Sequence, residues 1–161
     1  MGFDGNFNYF KLQRAVSYLR YSTPRIPFIA TNRDLTYPDA HQLVPGGGTL
    51  VAAVEAGAGR APDCVAGKPS QGLVALVQSA TGLLPARTCM VGDRLDTDIA
   101  FGVAGGFRSL LVLTGVSSRA TLEGARAEET PDLVVDSLGD LAPWLQALLP
   151  GAAGGAAATA Q

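Results

Sequence analysis

The 161 residues predict an α/β protein, a partial doubly wound parallel sheet joined to part of a second α/β unit. Three observations carry that prediction. Short apolar runs alternate with stretches of helical periodicity from Asp63 onward, which implies parallel pairing through helical crossovers. Those runs are near-continuously apolar rather than alternating, as in a sheet covered on both faces. The 47% hydrophobic content suffices for one modest core or two small lobes.

In chain order, Leu12, Ala15, Val16 and Leu19 fall at helical spacing and predict a helix over 7–19, with Asn6 and Asn8 as candidate caps. Ile26 to Thr31 reads as a strand, and Asn32 to Pro38 as a polar loop at its C-terminal end, a place where ligands are often met. Pro45-Gly-Gly-Gly48 reads as a flexible start to a helix over 49–56, which Gly57 to Pro62 breaks. Asp63 to Ala66 is a short apolar run, followed by a helix around Leu73 to Val77 and a strand over Thr88 to Val91. A helix from Asp96 to Gly105-Gly106, strands at Ser109–Leu113 and Leu133–Val135, and a helix over Leu138 to Leu149 complete the alternation. Residues 1–62 form one expected unit, 63–149 the second, and the Gly/Ala-rich 150–161 has too little side-chain area to offset the entropy of ordering it, so disorder is expected there.

Net charge is −2 with no basic run, so neither a nucleic-acid backbone nor an anionic membrane is an expected partner. No apolar stretch approaches membrane-spanning length, and the expected address is cytoplasmic. Cys64 and Cys89 read as buried free thiols of a reducing compartment. His41, without a second histidine or cysteine at ligand spacing, reads as a surface loop residue. Trp144 among Leu141, Leu145 and Leu148 reads as core packing, and Glu128-Glu129 as a solvated helix end.

Chemistry concentrates in Met90-Val-Gly-Asp-Arg-Leu-Asp-Thr-Asp98, where a buried strand presents Asp93 at its carboxyl end, the edge at which α/β sheets bind ligands. Asp93 offers a hard oxygen to Mg²⁺, which takes only one or two protein carboxylates, and Asp98 is placed to hold a metal-bound water. For Asp96 the simpler role is complementing a helix N-terminus. Gly67-Lys68-Pro69-Ser70 brings an ammonium to the mouth of the same sheet, where a point cation serves a phosphoryl group. A phosphate-loop alternative has only Pro45-Gly-Gly-Gly48 as its candidate, which lacks the Gly-Lys-Ser/Thr ending.

Gly67-Lys68-Pro69, the string from Met90 to Asp98, and Leu113-Thr-Gly-Val-Ser117 together resemble the last two motifs of haloacid dehalogenase-type phosphatases and the strand after them. Gly2-Phe-Asp4, Tyr9-Phe-Lys-Leu12 and Ala30-Thr-Asn-Arg-Asp34 resemble the cap domain of the phosphoglycolate and pyridoxal phosphate phosphatases. The resemblance implies a Mg²⁺-dependent phosphomonoesterase acting on a small phosphorylated metabolite through an aspartyl-phosphate, with Lys68 as the catalytic lysine and Asp93 and Asp98 at the metal. In the cap, Asn32, Asp34 and Tyr37 would approach the substrate's leaving group, and a second copy bound through the cap is the expected protein partner.

The family's Asp-x-Asp-Gly nucleophile motif and its Ser/Thr motif precede the cap and are not found here. The one Asp-x-Asp pair is Asp96-Thr97-Asp98, inside the fourth motif. The chain is therefore expected to be a C-terminal fragment, inactive alone, whose strand over 88–91 lacks a neighbour. The alternative is a non-catalytic chain that associates with a full-length homologue through that open edge.

Overall fold

A computed structural model describes residues 1–40 and 42–148; the expectations for His41 and for the 150–161 tail lie outside the described residues. Helix α1 (Tyr9–Tyr21) starts where Asn8 Oδ1 accepts from Lys11 N at 3.1 Å, so Asn8 rather than Asn6 is the cap. It packs on α2 (Gly47–Ala58), and Gly57 makes the approach close: a Cβ there would lie 2.6 Å from Val16 Cγ2. Phe28, Ala30, Val51 and Val54 form the core of this unit.

Strand β1 is only Ile29–Ala30, shorter than the predicted run, because Pro27 has no N–H and Phe28 N donates to Asp63 Oδ2 at 2.7 Å instead of to a ladder. β1 pairs in parallel with β4 (Cys64–Val65). That pairing spans the expected 62/63 boundary. The expected loop from Asn32 to Pro38 is in part a strand: β2 (Thr36–Asp39) and β3 (Gln42–Pro45) form an antiparallel pair. The glycines that follow are packed rather than flexible. Gly46 N donates to Leu35 O at 2.7 Å and Gly48 N to Asp34 O at 2.9 Å, and a Cβ on Gly48 would sit 2.3 Å from Arg33 C. This close approach lets α2 begin two residues before the predicted Thr49.

The third sheet has the order β5 (Cys89–Gly92), β6 (Arg108–Val112), β7 (Leu133–Val135), all parallel. Helix α3 (Gln71–Thr81), capped by Ser70, leads into β5. Between β5 and β6, a single π-helical turn (Leu95–Ile99) runs into the short helix α4 (Ala100–Ala104). α5 (Arg119–Glu123) and α6 (Ala142–Leu148) follow β6 and β7, α5 at a place where the sequence suggested no helix. Val74, Phe101 and Phe107 pack with Met90, while Leu95, Ile99 and Leu111 pack with Leu122 and Val134. Both clusters lie on the face of Met90 and Leu111, because successive crossovers of one hand along the order β5-β6-β7 land on one side. On the other face Leu110 is buried, while Cys89 and Val91 are exposed and Leu133 is 63% exposed, so the two-sided cover suggested by the apolar runs is only partial there.

Three further expectations are corrected. Cys64 and Cys89 are free but exposed, since each lies on the uncovered side of its short strand. Trp144 is 74% exposed: the last helix carries its indole outward instead of into the core. Glu129 is buried rather than solvated, because the 3₁₀ turn Ala127–Glu129 folds back onto α4 and Arg126 Nη2 donates to Glu129 Oε1.

Asp63 ties the first unit together by accepting from Phe28 N, Arg25 and Arg60, and these donors hold its carboxyl far below the usual carboxylate range. A lowered folded pKa contributes stability that is present above the ordinary value near 3.9 and is lost as pH falls through the folded value. Melting followed by circular dichroism from pH 5 downward is expected to show a steeper acid loss for the unaltered chain than for Asp63→Asn. Parallel curves would mean that Asp63 does not carry this dependence.

Candidate active site

β5 ends at Gly92, and the following residues fold over it. A Cβ on Gly92 would lie 2.3 Å from Asp98 Cβ, so the glycine makes room for the Asp98 side chain beneath the strand end. Asp98 is 5% exposed, and a carboxylate so buried must be paired. Its Oδ2 accepts from Asp93 N (3.1 Å) and Arg94 N (3.2 Å), and its Oδ1 accepts from Lys68 Nζ (2.5 Å). The π-helical turn sets this register: Asp98 N and Ile99 N both donate to Arg94 O, widening the turn so that the Asp98 carboxylate faces back toward the strand end. Such turns recur at functional sites.

Asp93 is held from the other side by the segment after β6. Val116 N donates to its Oδ2 at 2.8 Å, Ser117 N donates to its carbonyl at 2.9 Å, and Leu95 N donates to Ser117 Oγ at 3.3 Å. A Cβ on Gly115 would sit 2.0 Å from Asp93 Oδ2. Thr114-Gly115-Val116 is thus a cradle shaped to one carboxylate. Asp93 Oδ1 takes no hydrogen bond among the described residues.

Lys68 follows β4, so it reaches the site from the sheet of β1 and β4 and not, as expected, from the mouth of the three-stranded sheet that carries Asp93, because β4 pairs with β1 rather than with β5. Asp98 joins them. A cleft of about 270 Å³ opens beside Lys68 and is lined also by Arg33, Ser70, Asp96 and Thr97. Asp96, assigned on sequence to a helix terminus, lies in the first turn after Arg94 and also takes a two-pronged bond from Arg94 through Nε (3.2 Å) and Nη2 (3.0 Å).

The three cap residues separate. Asp34 comes to the site through Arg94, whose Nε lies 3.8 Å from Asp34 Oδ1 and whose Nη1 donates to Thr36 O at 3.3 Å. Asn32 turns inward on its own loop, its Oδ1 accepting from Asp34 N at 3.1 Å. Tyr37 stacks edge-on against Phe3, with centroids 5.8 Å apart. Arg94 went unassigned on sequence although it lies inside the most specific motif; its signal was that motif's unbroken spacing between Asp93 and Asp98. Burial pulls the Arg94 pKa down, but Asp96, Asp34 and Asp93 outweigh it and leave the guanidinium more basic than usual.

For a divalent cation, the fit rests on the donor set. Among the described residues no three His, Cys, Asp or Glu side chains converge as a complete metal cage. One aimed carboxylate with an uncommitted oxygen suits Mg²⁺, which keeps most of its waters, and does not suit zinc, which wants three or four protein ligands.

A family model described as HAD-hydrolase-like matches residues 65–141. The human glycerol-3-phosphate phosphatase is 40% identical over 154 residues, covering 91% of this chain and 47% of that protein. Phosphoglycolate phosphatase 1A, chloroplastic, of Arabidopsis thaliana is 42% identical over 141 residues, covering 87% and 38%. Among solved structures, the glycerol phosphate phosphatase of Mycobacterium tuberculosis in complex with magnesium is 34% identical, with a TM-score of 0.75 over 87% of this chain and 41% of that one. The chain spans about half the length, or less, of these relatives. Glycerol phosphate was not among the substrates that the sequence resemblance suggested.

Proposed function

This chain belongs to the haloacid dehalogenase-like hydrolases, in their phosphoglycolate phosphatase branch, and from that premise we propose that it supplies the metal- and phosphate-orienting half of a Mg²⁺-dependent phosphomonoesterase site. The observation that carries the reading is the bridge made by Asp98, which bonds Lys68 Nζ with one oxygen and the Asp93 amide with the other. Two residues from separate sheets are thereby fixed in one place.

In this reading Asp93 holds Mg²⁺, aided by the Val116 amide that fixes its other oxygen. Bound Mg²⁺ supplies charge neutralisation for phosphoryl oxygens. Lys68 presents its ammonium to the phosphate and to an attacking carboxylate, and Asp98 keeps that ammonium aimed. The attacking and proton-donating aspartates are not among these 161 residues, since the one Asp-x-Asp pair is committed to Arg94 and Lys68. By itself the chain binds and polarises but does not turn over. The substrate class is a small monoester such as 2-phosphoglycolate, pyridoxal phosphate or glycerol phosphate. We place it in the cytosol, a reading supported by free Cys64 and Cys89. A second reading, association with a full-length homologue, is favoured by β5, which pairs with β6 alone among the described residues.

The test is a Mg²⁺ titration of the isotopically labelled chain. Amide resonances of Gly92 to Arg94 and Val116 to Ser117 are expected to shift in the millimolar range, and Asp93→Asn to abolish the response. Silence at those amides in the unaltered chain would sink the metal assignment. In parallel, neither the chain nor Asp93→Ala should release phosphate from p-nitrophenyl phosphate. Release that disappears in Asp93→Ala would overturn the half-site reading.

A further inference from the structure

Arg94 stands between two demands. Its side chain is 15% exposed, and it grips Asp96 on its own loop while reaching across to the hairpin, donating to Thr36 O at 3.3 Å. Asp34 Oδ1 is buried without a hydrogen-bond partner and lies 3.8 Å from Arg94 Nε: near enough for charge attraction, too far for a hydrogen bond. A buried carboxylate oxygen left unsatisfied is costly unless a nearby cation answers it. Arg94 is the cation that the structure places there. On its far side the hairpin is already fixed, because Gly46 N and Gly48 N bond Leu35 O and Asp34 O and their lack of side chains lets α2 abut the loop. The segment Asp34–Tyr37 is therefore clamped between the start of α2 and a guanidinium that emerges next to Asp93.

We propose that Arg94 is a positioning residue that sets where the Asp34–Tyr37 segment, and with it Tyr37, stands relative to the Lys68–Asp93 site. The proposal rests on the phosphomonoesterase reading for its significance: this segment would face the leaving group, so Arg94 would act on which monoester is accepted rather than on the phosphate itself. Arg94 does so through the Thr36 carbonyl and Asp34, without touching substrate. The planar fork matters, since a lysine has one ammonium for three separated acceptors.

The test needs no turnover and so stands apart from the reading above it. Backbone ¹⁵N relaxation at Leu35, Thr36 and Tyr37 reports the clamp, and amide exchange at Leu111 and Leu113 reports the three-stranded sheet. Arg94→Gln is expected to lower the order parameters of the three hairpin amides below about 0.6, the flexible range, with sheet protection kept. Arg94→Lys should lie between. Asp96→Asn, which frees Arg94 to close on Asp34, should leave the hairpin as ordered as before. The proposal is overturned if Arg94→Gln leaves the hairpin order unchanged, or if Asp96→Asn reproduces the loss. It is overturned equally if Arg94→Lys, which keeps the charge, loses the sheet protection, for then Arg94 holds the fold rather than the hairpin. Failure of the Mg²⁺ titration with the hairpin result intact would remove the enzymatic reading and leave the clamp.

Discussion

Replacing Asp98 with alanine is expected to be the most damaging single change at the site, lowering stability by about 2–4 kcal/mol as two amides lose their acceptor. The carboxylate is 5% exposed and accepts three bonds, from Lys68 Nζ, Asp93 N and Arg94 N. Alanine strands the two amides at the end of β5 and leaves a void under Gly92, whose missing Cβ exists to admit this side chain. Lys68 is the smaller part of the loss, since its side chain is 42% exposed and water can take over. Asp98→Asn keeps the volume and an oxygen for the two amides, so it should cost less than half as much. Urea unfolding of the three proteins checks the order. A loss of under about 1 kcal/mol for Asp98→Ala, the worth of an ordinary hydrogen bond, would show that the bridge is incidental.

The second large effect is expected at Gly115, where the damage is to placement. A methyl group there would lie 2.0 Å from Asp93 Oδ2 and 2.5 Å from its Cγ, so the carboxylate must leave the position in which Val116 N holds it. Gly115→Ala should weaken Mg²⁺ binding at least about tenfold, or about 1.4 kcal/mol, while overpacking costs about 1–3 kcal/mol in stability. Gly124→Ala is the control, since nothing lies within 4 Å of its Cβ position. The Mg²⁺ titration and urea unfolding separate the two effects. Unchanged affinity in Gly115→Ala would mean that Asp93 is not held for a metal.

What the sequence made legible was whatever a short apolar run or a fixed motif encodes. β6 and β7 fall within a residue of the expected Ser109–Leu113 and Leu133–Val135, and Lys68 meets Asp93 through the Asp98 carboxylate, although it comes from a different sheet than expected. Less local features were hidden. Thr-Tyr-Pro-Asp and Gln-Leu-Val-Pro carry a proline each and no clean alternation, so β2 and β3 could not be told from loop, and their pairing is held partly by glycines that pattern alone marks as flexible. The exposure of Cys89, Val91 and Trp144 was hidden for another reason. An apolar run says that a strand can be covered, not that both its faces are, and the crossovers beside β5, β6 and β7 all fall on one side. Arg94 was readable as part of a motif but not as a contact, since its partners Asp34 and Thr36 are some sixty positions away.

The sheets that flank the site share no ladder among the described residues: β1 pairs with β4, and β5 begins a separate set. At the site they are joined by the ion pair between Lys68 and Asp98, beside which Arg94 reaches Thr36 and Asp34. Any anion that draws the Lys68 ammonium toward itself therefore also lightens the joint between the two halves. Ligand chemistry and mechanical compliance would then be read from the same nitrogen atom.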